Sequence, residues 1–137
     1  MILDSSAFVA DHELIRTLRG HATGVDCAHD RFLFRQGDEP TGLYILHSGE
    51  VIMTMESPSG DEVVSIRTEP GSLLGLPGLL GNSPYSLSAF ANSDSEVSFV
   101  PQQAFSDLML SEPGLSMMIL RILANEVRTA RMAIAGK

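Results

Sequence analysis

The chain has 137 residues, of which 44% are hydrophobic and 19% are charged; that is enough for one domain with a core, and too few for two comfortable ones. Its 17 acidic and 9 basic residues give a formal net charge of -8, which disfavours binding of a nucleic-acid backbone by this chain alone. A single cysteine excludes an internal disulfide and a zinc site built from cysteines only.

The N-terminus has acidic residues where a signal peptide has basic ones, and no apolar run approaches the roughly 18 residues of a membrane span. We therefore expect a cytoplasmic protein that does not associate with membranes.

An amphipathic helix is predicted over residues 5–19. Ser5 or Ser6 can cap it and Gly20 can end it. Its apolar stripe consists of Phe8, Leu14, Ile15 and Leu18.

Residues 22–100 alternate between short apolar runs and turn sequences. Turn composition is clear at 36–40 and at 57–61, where Gly, Pro, Ser and Asp cluster. The predicted strands include Phe32–Phe34, Leu43–Leu46, Val51–Met55, Val63–Ile66 and Glu96–Val100. Strands this short, at this spacing, favour an antiparallel sandwich or barrel.

Residues 102–134 are predicted to be helical. A short helix covers Gln102–Leu110, Pro113 and Gly114 interrupt it, and a long helix runs from Leu115 to about Ile134. The long helix has a seam of apolar residues at alternating steps of three and four: Leu120, Leu123, Val127, Ala130 and Ile134. A second apolar set lies partly beside the seam: Leu115, Met118, Ile119 and Ile122.

One set can pack on the β-rich body while the seam packs on a second copy of the helix, which predicts a homodimer. The alternative is a single broad stripe that faces the core. The seam is shorter than three heptads, so it would need help from the body to hold a dimer.

Four segments carry a resemblance to a known family: Phe34-Arg35-Gln36-Gly37-Asp38, Leu43 to Val51 with Ser48-Gly49-Glu50, Gly71-Ser72-Leu73-Leu74-Gly75, and Asn82-Ser83-Pro84-Tyr85-Ser86. Over about residues 5–134 the chain resembles the cyclic-nucleotide-binding domain. It is most similar to the sensor half of the catabolite-activator and fumarate-nitrate-reductase type of bacterial regulators.

The resemblance implies one mainly β domain over residues 1–137: an eight-stranded double-sheet jelly roll with an N-terminal helix and two C-terminal helices, the last forming the dimer interface. It also implies a ligand inside the roll, held by a cassette at about residues 71–91.

The cassette departs from the pattern of nucleotide-binding members at both charged contacts. Gly75 matches the cassette glycine, but Leu76 stands where a Glu binds the ribose hydroxyl. Pro84 matches the residue before the phosphate-binding Arg, but Tyr85 stands at the Arg position. Between residues 36 and 120 the only Lys or Arg is Arg67, against eleven acidic residues. Because an anion buried without a partner is costly, we do not expect tight cAMP or cGMP binding.

The candidate ligand-binding residues are Gly75, Leu76, Pro77, Gly78, Pro84, Tyr85, Ser86 and Ser88. The apolar run that starts at Leu76 is consistent with a pocket for a neutral or apolar small molecule that Tyr85, Ser86 or Ser88 orients. It is equally consistent with side chains that fill the former pocket.

No metal site, cofactor or enzymatic activity is predicted. Cys27 and His29, with the other histidines at 12, 21 and 47, lack the cysteines of an iron–sulfur cluster and an identifiable pair of haem ligands. Nothing beside Cys27 marks an oxyanion hole or an orienting carboxylate.

The sequence thus predicts a homodimeric sensor domain with a degenerate cassette and an unidentified effector. One alternative is a ligand-free dimerisation or interaction module. Another is a weak cyclic-nucleotide binder that is a fragment of a transcription regulator. In such a regulator a helix-turn-helix domain follows the long helix, whereas this sequence ends at Lys137, so we expect no nucleic-acid binding by this chain alone.

Overall fold

The computed structural model of the chain describes residues 5–135, with the side chains of residue 130 and of residues 132–135 outside the description. Within that part, four helices and eight strands follow one another in this order: α1 (His12–Arg19), β1 (Thr23–Val25), β2 (Arg31–Phe34), β3 (Gly42–Ser48), β4 (Val51–Glu56), β5 (Glu62–Arg67), β6 (Leu73–Leu74), α2 (Leu76–Gly81), β7 (Ser88–Ala91), β8 (Glu96–Pro101), α3 (Gln102–Ser111) and α4 (Pro113–Ala135).

The strands form two four-stranded antiparallel sheets, in the orders β1-β8-β3-β6 and β2-β7-β4-β5. Chain neighbours β3 and β4 lie in different sheets, so the chain crosses repeatedly between the two layers. This arrangement confirms the predicted double-sheet jelly roll with an N-terminal helix and C-terminal helices.

A first hydrophobic core lies between the two sheets. On β4, Val51 and Met53 are buried while Ile52 and Thr54 are partly exposed, which is the two-residue period of a strand with one buried face. The buried members of this core are Ala7, Phe8, Cys27, Leu33, Phe34, Leu46, Val51, Met53, Val64, Ile66, Leu74, Tyr85, Ala89, Ala91 and Val97.

A second core joins the helices to the sheet that contains β3. Leu43 and Ile45 of β3 belong to this core, whereas Leu46 belongs to the first, so β3 buries both faces. From the helices, α1 contributes Leu14 and Leu18, both fully buried. Full burial of a leucine side chain is worth about 1.5–3 kcal/mol. The helices are therefore integral to the stability of this domain.

The predicted N-terminal helix over residues 5–19 is wrong at its start, because α1 begins at His12. Residues 5–8 form turns, and Val9 forms an isolated antiparallel bridge with Ser72. The backbone N–H of Ala10 donates to the carbonyl of Gly71, so the sheet captures the segment that the apolar pattern assigned to a helix. The predicted end of the helix is confirmed, because α1 ends at Arg19 and Gly20 is its C-cap residue.

The β3–β4 turn contains a glycine with a positive φ. Gly49 has φ of 90°, and a Cβ there would overlap Ser95. The next residue, Glu50, accepts a hydrogen bond from the Asn92 side-chain amide at 2.7 Å and lies 3.6 Å from the Arg67 guanidinium. The turn is thus a structural clamp between strands.

The long C-terminal helix α4 begins at Pro113, two residues before its predicted start. Proline suits the first turn of a helix, where its missing N–H has no intrahelical acceptor. None of the helices in the described part of the chain is long and apolar enough to cross a membrane.

Candidate functional site

The cassette between β6 and β7 forms the candidate site. Gly75 precedes the short helix α2 and has φ of 98°, a conformation that L side chains rarely adopt. A Cβ at this position would lie 2.9 Å from Cε1 of Tyr85. Glycine at position 75 therefore allows the start of α2 to lie directly against the tyrosine ring.

Tyr85 fills the centre of the cassette, with only 4% of its surface exposed. Its ring stacks on Phe34 with 4.0 Å between centroids. Its hydroxyl donates a hydrogen bond to the carbonyl oxygen of Gly42 at 2.8 Å and accepts one from the backbone N–H of Thr41 at 3.2 Å. The position at which the resemblance implies an arginine thus holds a buried phenol whose polar atom is satisfied.

The Gly37-Asp38 turn and the cassette are joined through the backbone of Tyr85. The N–H of Gly37 donates to the Tyr85 carbonyl at 2.8 Å, and the N–H of Tyr85 donates to the Asp38 carbonyl at 2.9 Å. The Asp38 carboxylate in turn accepts from the backbone N–H of Arg35 at 3.0 Å. Two motifs that are far apart in the sequence therefore make one rigid unit.

A small cavity remains beside this unit, with a volume of about 20 Å³. That is about the room one water molecule needs. Its lining residues are Phe8, Phe34, Met53, Gly75, Pro77, Gly78, Tyr85, Ser86, Leu87 and Glu126. The exposed residues Pro77 and Ser86 stand where the lining meets solvent.

Among the described residues of this lining, Glu126 brings the only carboxyl group, and it comes from α4. Its Oε2 atom is buried and has no hydrogen-bond partner among the described residues. Burial disfavours the charged form and raises the pKa of Glu126 from 4.5 to about 8. At neutral pH the cavity therefore contains a largely protonated carboxyl group.

The predicted ligand-binding residues divide into two groups. The structure brings five of them to the cavity: Gly75, Pro77, Gly78, Tyr85 and Ser86. The other three lie elsewhere. Leu76 is fully buried in the second core, Pro84 is exposed, and Ser88 accepts a hydrogen bond from the backbone N–H of Gln36 at 2.8 Å.

The sequence reasoning missed Glu126 because it followed the apolar residues of the long helix. A signal was present in their spacing. Leu115, Ile119 and Ile122 are buried at steps of four and three, and a further step of four reaches residue 126. A charged residue that continues a buried stripe is a candidate for function or for a shifted pKa.

The predicted dimer seam on α4 is partly exposed. Leu120 and Val127 have 56% and 50% of their surface exposed, whereas Leu123 packs partly against the second core. The side chains of Ala130 and Ile134 lie outside the described residues. Leu120 and Val127 therefore do not belong to a stripe that faces the core.

Cys27 and His47, which the sequence offered as possible ligands of a metal or haem, are packed within the fold. Cys27 is buried, and burial raises the pKa of its thiol, which makes it less reactive. His47 Nε2 lies 2.5 Å from Ser98 Oγ, and partial burial lowers the pKa of this histidine. Within residues 5–135 there is no group of three His, Cys, Asp or Glu side chains placed to hold a metal ion.

The double-sheet roll has its cassette between β6 and β7, and the long C-terminal helix reaches back to that cassette. The family described as the cyclic nucleotide-binding domain matches residues 26–112. The chain belongs to this family.

The curated relatives include bacterial regulators. The chain is 33% identical over 97 residues to the transcriptional activator protein Anr of Pseudomonas protegens, a match that covers 71% of this chain and 39% of that protein. The chain spans about two-fifths of the length of these bacterial regulators.

Solved structures share the fold. The catabolite activator protein of Thermus thermophilus superimposes with a TM-score of 0.80 at 24% identity, over 91% of this chain and 59% of that one. The sensor domain of the transcriptional regulator DNR from Pseudomonas aeruginosa gives a TM-score of 0.68 at 20% identity, over 88% of this chain and 81% of that domain.

Proposed function

We propose that this chain is the sensor domain of a regulatory protein, that its cassette does not bind cAMP or cGMP tightly, and that it signals through α4. The observation that carries the proposal is that Tyr85 and Glu126 line the same cavity. A buried, hydrogen-bonded phenol occupies the position of the expected arginine, and the ionisable group added from α4 is an acid. It is a non-enzymatic role, and the relatives named as transcription regulators suggest its setting.

Electrostatics argue against a bound phosphate. Among the described residues that line the cavity there is no Lys, Arg or His. Arg35 lies over the ring of Phe32 at 3.9 Å, and the Arg67 side chain is 76% exposed beside Glu50, so neither faces the cavity. A phosphate would lose its hydration beside a carboxyl group and gain no cation.

The geometry supports coupling between the cassette and α4. Gly75 and Tyr85 come from the cassette, Glu126 comes from α4, and all three line one small cavity. A ligand that enters must contact or displace Glu126 and with it the helix. A ligand shifts a conformational equilibrium only through its different affinity for the two states, and a contact with α4 supplies such a difference.

Leu120 and Val127 on the same helix provide a surface through which a movement of α4 can be transmitted. We propose that their exposed side chains pack on a second copy of α4, so that a movement of the helix changes the geometry of a homodimer. The continuous spacing of the seam supports a partner with the same repeat.

A second candidate function is a ligand-free dimerisation module. The observation that favours it is the cavity volume, since about 20 Å³ holds no molecule larger than water in this conformation. Under this alternative, Tyr85 and its neighbours are simply core.

The test is a thermal-shift titration of the chain with cAMP and cGMP up to millimolar concentration. A ligand at 100 times its dissociation constant adds about 2.7 kcal/mol to the folded state, so a real binder gives a clear rise in melting temperature. We expect no rise with either nucleotide. A clear rise would overturn the proposal in favour of a cyclic-nucleotide sensor.

The variant Tyr85→Arg returns the missing cation and is expected to gain a nucleotide-dependent shift. The matched control Leu110→Arg adds the same charge on α3, at a side chain that is 83% exposed and away from the cavity, and should gain none. If Tyr85→Arg does not fold, the titration of the wild-type chain still decides.

A further inference from the structure

We infer that the cavity accepts a small ligand with an apolar, aromatic body and a cationic N–H head, and that Glu126 binds the head. This rests on the proposed function, because it names the effector class of the same cavity.

The first argument is the unpaired oxygen of Glu126. Buried polar atoms in folded proteins are nearly always hydrogen-bonded, because leaving one unpaired is costly. Oε2 of Glu126 is buried without a partner among the described residues. A ligand with an N–H donor supplies the missing partner, and a cationic donor makes a charge-assisted bond about twice as strong as a neutral one.

The second argument is the nature of the walls. Phe34 and Tyr85 stack with 4.0 Å between centroids, and Met53 and Leu87 add apolar surface to the same lining. Aromatic rings favour an aromatic ligand body, and their faces attract a cation. Within the described lining Glu126 is the sole acid and has no basic neighbour, so once it is ionised the lining carries only negative charge, which favours a cation over an anion.

The third argument concerns entry. The cavity of about 20 Å³ must widen to admit such a ligand. Pro77 and Ser86 stand at its exposed edge, and Glu126 stands on α4. Opening by displacement of α4 turns occupancy into a movement of the helix, which a rigid and open pocket would not do.

The experiment compares three probes of nearly equal size by isothermal titration calorimetry: benzylammonium, benzyl alcohol and benzoate. In the wild-type chain at pH 8.5, above the Glu126 pKa of about 8, we expect benzylammonium to bind at least about tenfold more tightly than benzoate, with benzyl alcohol between them. Affinity for the cation should rise from pH 6 to pH 8, because Glu126 must release its proton to pair with it.

The variant Glu126→Gln keeps the shape and removes the charge. It should lose at least about tenfold in affinity for benzylammonium, flatten the pH dependence, and change the affinity for benzyl alcohol by less than about twofold. The matched control Glu62→Gln removes an exposed carboxylate on β5 and should leave all three affinities unchanged.

The inference is overturned if the three probes bind equally, if Glu126→Gln keeps the preference for the cation, or if none of the probes binds, in which case Glu126 bonds only to water. Each of these results leaves the absence of cyclic-nucleotide binding standing, since the titration with cAMP and cGMP tests that separately. A melting curve of each variant without ligand establishes that it is folded. If Glu126→Gln is not folded, the order of the three probes in the wild-type chain decides.

Discussion

Glu126 links the stability of the domain to pH. In the unfolded chain its carboxyl group ionises near the ordinary value of 4.5, whereas burial holds the pKa of the folded state at about 8. Between these values the folded state binds more protons than the unfolded state, so the free energy of unfolding falls as pH rises. Below pH 4.5 the contribution is fully present, and above pH 8 it is lost.

The variant Glu126→Gln should remove this loss. The melting temperature of the variant minus that of the wild-type chain should therefore increase from pH 5 to pH 8. The corresponding difference in the free energy of unfolding should reach a few kcal/mol at most. Thermal denaturation at pH 5, 6.5 and 8 measures the difference. Glu62→Gln, on an exposed strand position, should show no such trend; equal trends in the two variants would mean that Glu126 is not buried in solution.

Tyr85 acts at the scale of the elements that it joins. Its hydroxyl ties the end of the cassette to the start of β3, and its backbone bonds tie it to the Gly37-Asp38 turn. The hydrogen bonds fix the positions of the cassette, β3 and the turn relative to one another. Burial of the ring alone would not, because the hydrophobic effect is not directional.

The variant Tyr85→Phe keeps the ring and removes the bond to Gly42. Since a buried carbonyl loses its donor, we expect about 1–3 kcal/mol of destabilisation in urea unfolding. Tyr44→Phe is the matched control. The Tyr44 hydroxyl also donates to a backbone carbonyl, that of Leu33 at 3.1 Å, but Tyr44 is partly exposed. It should lose less, and an equal loss would show that the Tyr85 hydroxyl has no special role.

The elements also show what the sequence could and could not predict. Local signals are enough where turn chemistry decides, as at residues 57–61, whose Ser, Pro, Gly and Asp predicted the turn that joins β4 to β5. They fail where a distant strand decides, as at residues 5–8, whose helical apolar spacing is overruled by the bridge of Val9 to Ser72.

The residues of the candidate site also divide into those that local sequence motifs predict and those that only tertiary packing places. Gly75 and Tyr85 were found because a motif carries them. Glu126 is about forty residues further along the chain and reaches the cavity only after the helix packs on the roll. Leu76 was placed at the site by motif position, but its side chain lies in the second core because α2 directs it there. Which way a side chain points at the end of a short helix depends on tertiary packing.

At the scale of the whole molecule, the helices and the roll share a sheet that is buried on both faces. The second core runs from α1 through β3 to Ile119 and Ile122 of α4, so the inner face of α4 is held by the domain itself. Its outer face exposes Leu120 and Val127, which have no place in that core. A seam too short to hold a dimer alone is therefore presented on a prepositioned helix, which lowers the ordering cost of association.

The double variant Leu120→Asp/Val127→Asp should convert the chain from a dimer to a monomer, since it places four acidic groups along a two-fold seam of a protein that already has a net charge of -8. Sedimentation equilibrium should give twice the 14.8 kDa chain mass for the wild type and the single mass for the variant. Leu110→Asp is the control, because Leu110 is 83% exposed but lies on α3, outside the seam, and it should stay dimeric. A monomeric wild-type chain at hundred-micromolar concentration would refute signalling through a homodimer of this chain, and with it the proposed use of α4 as the output.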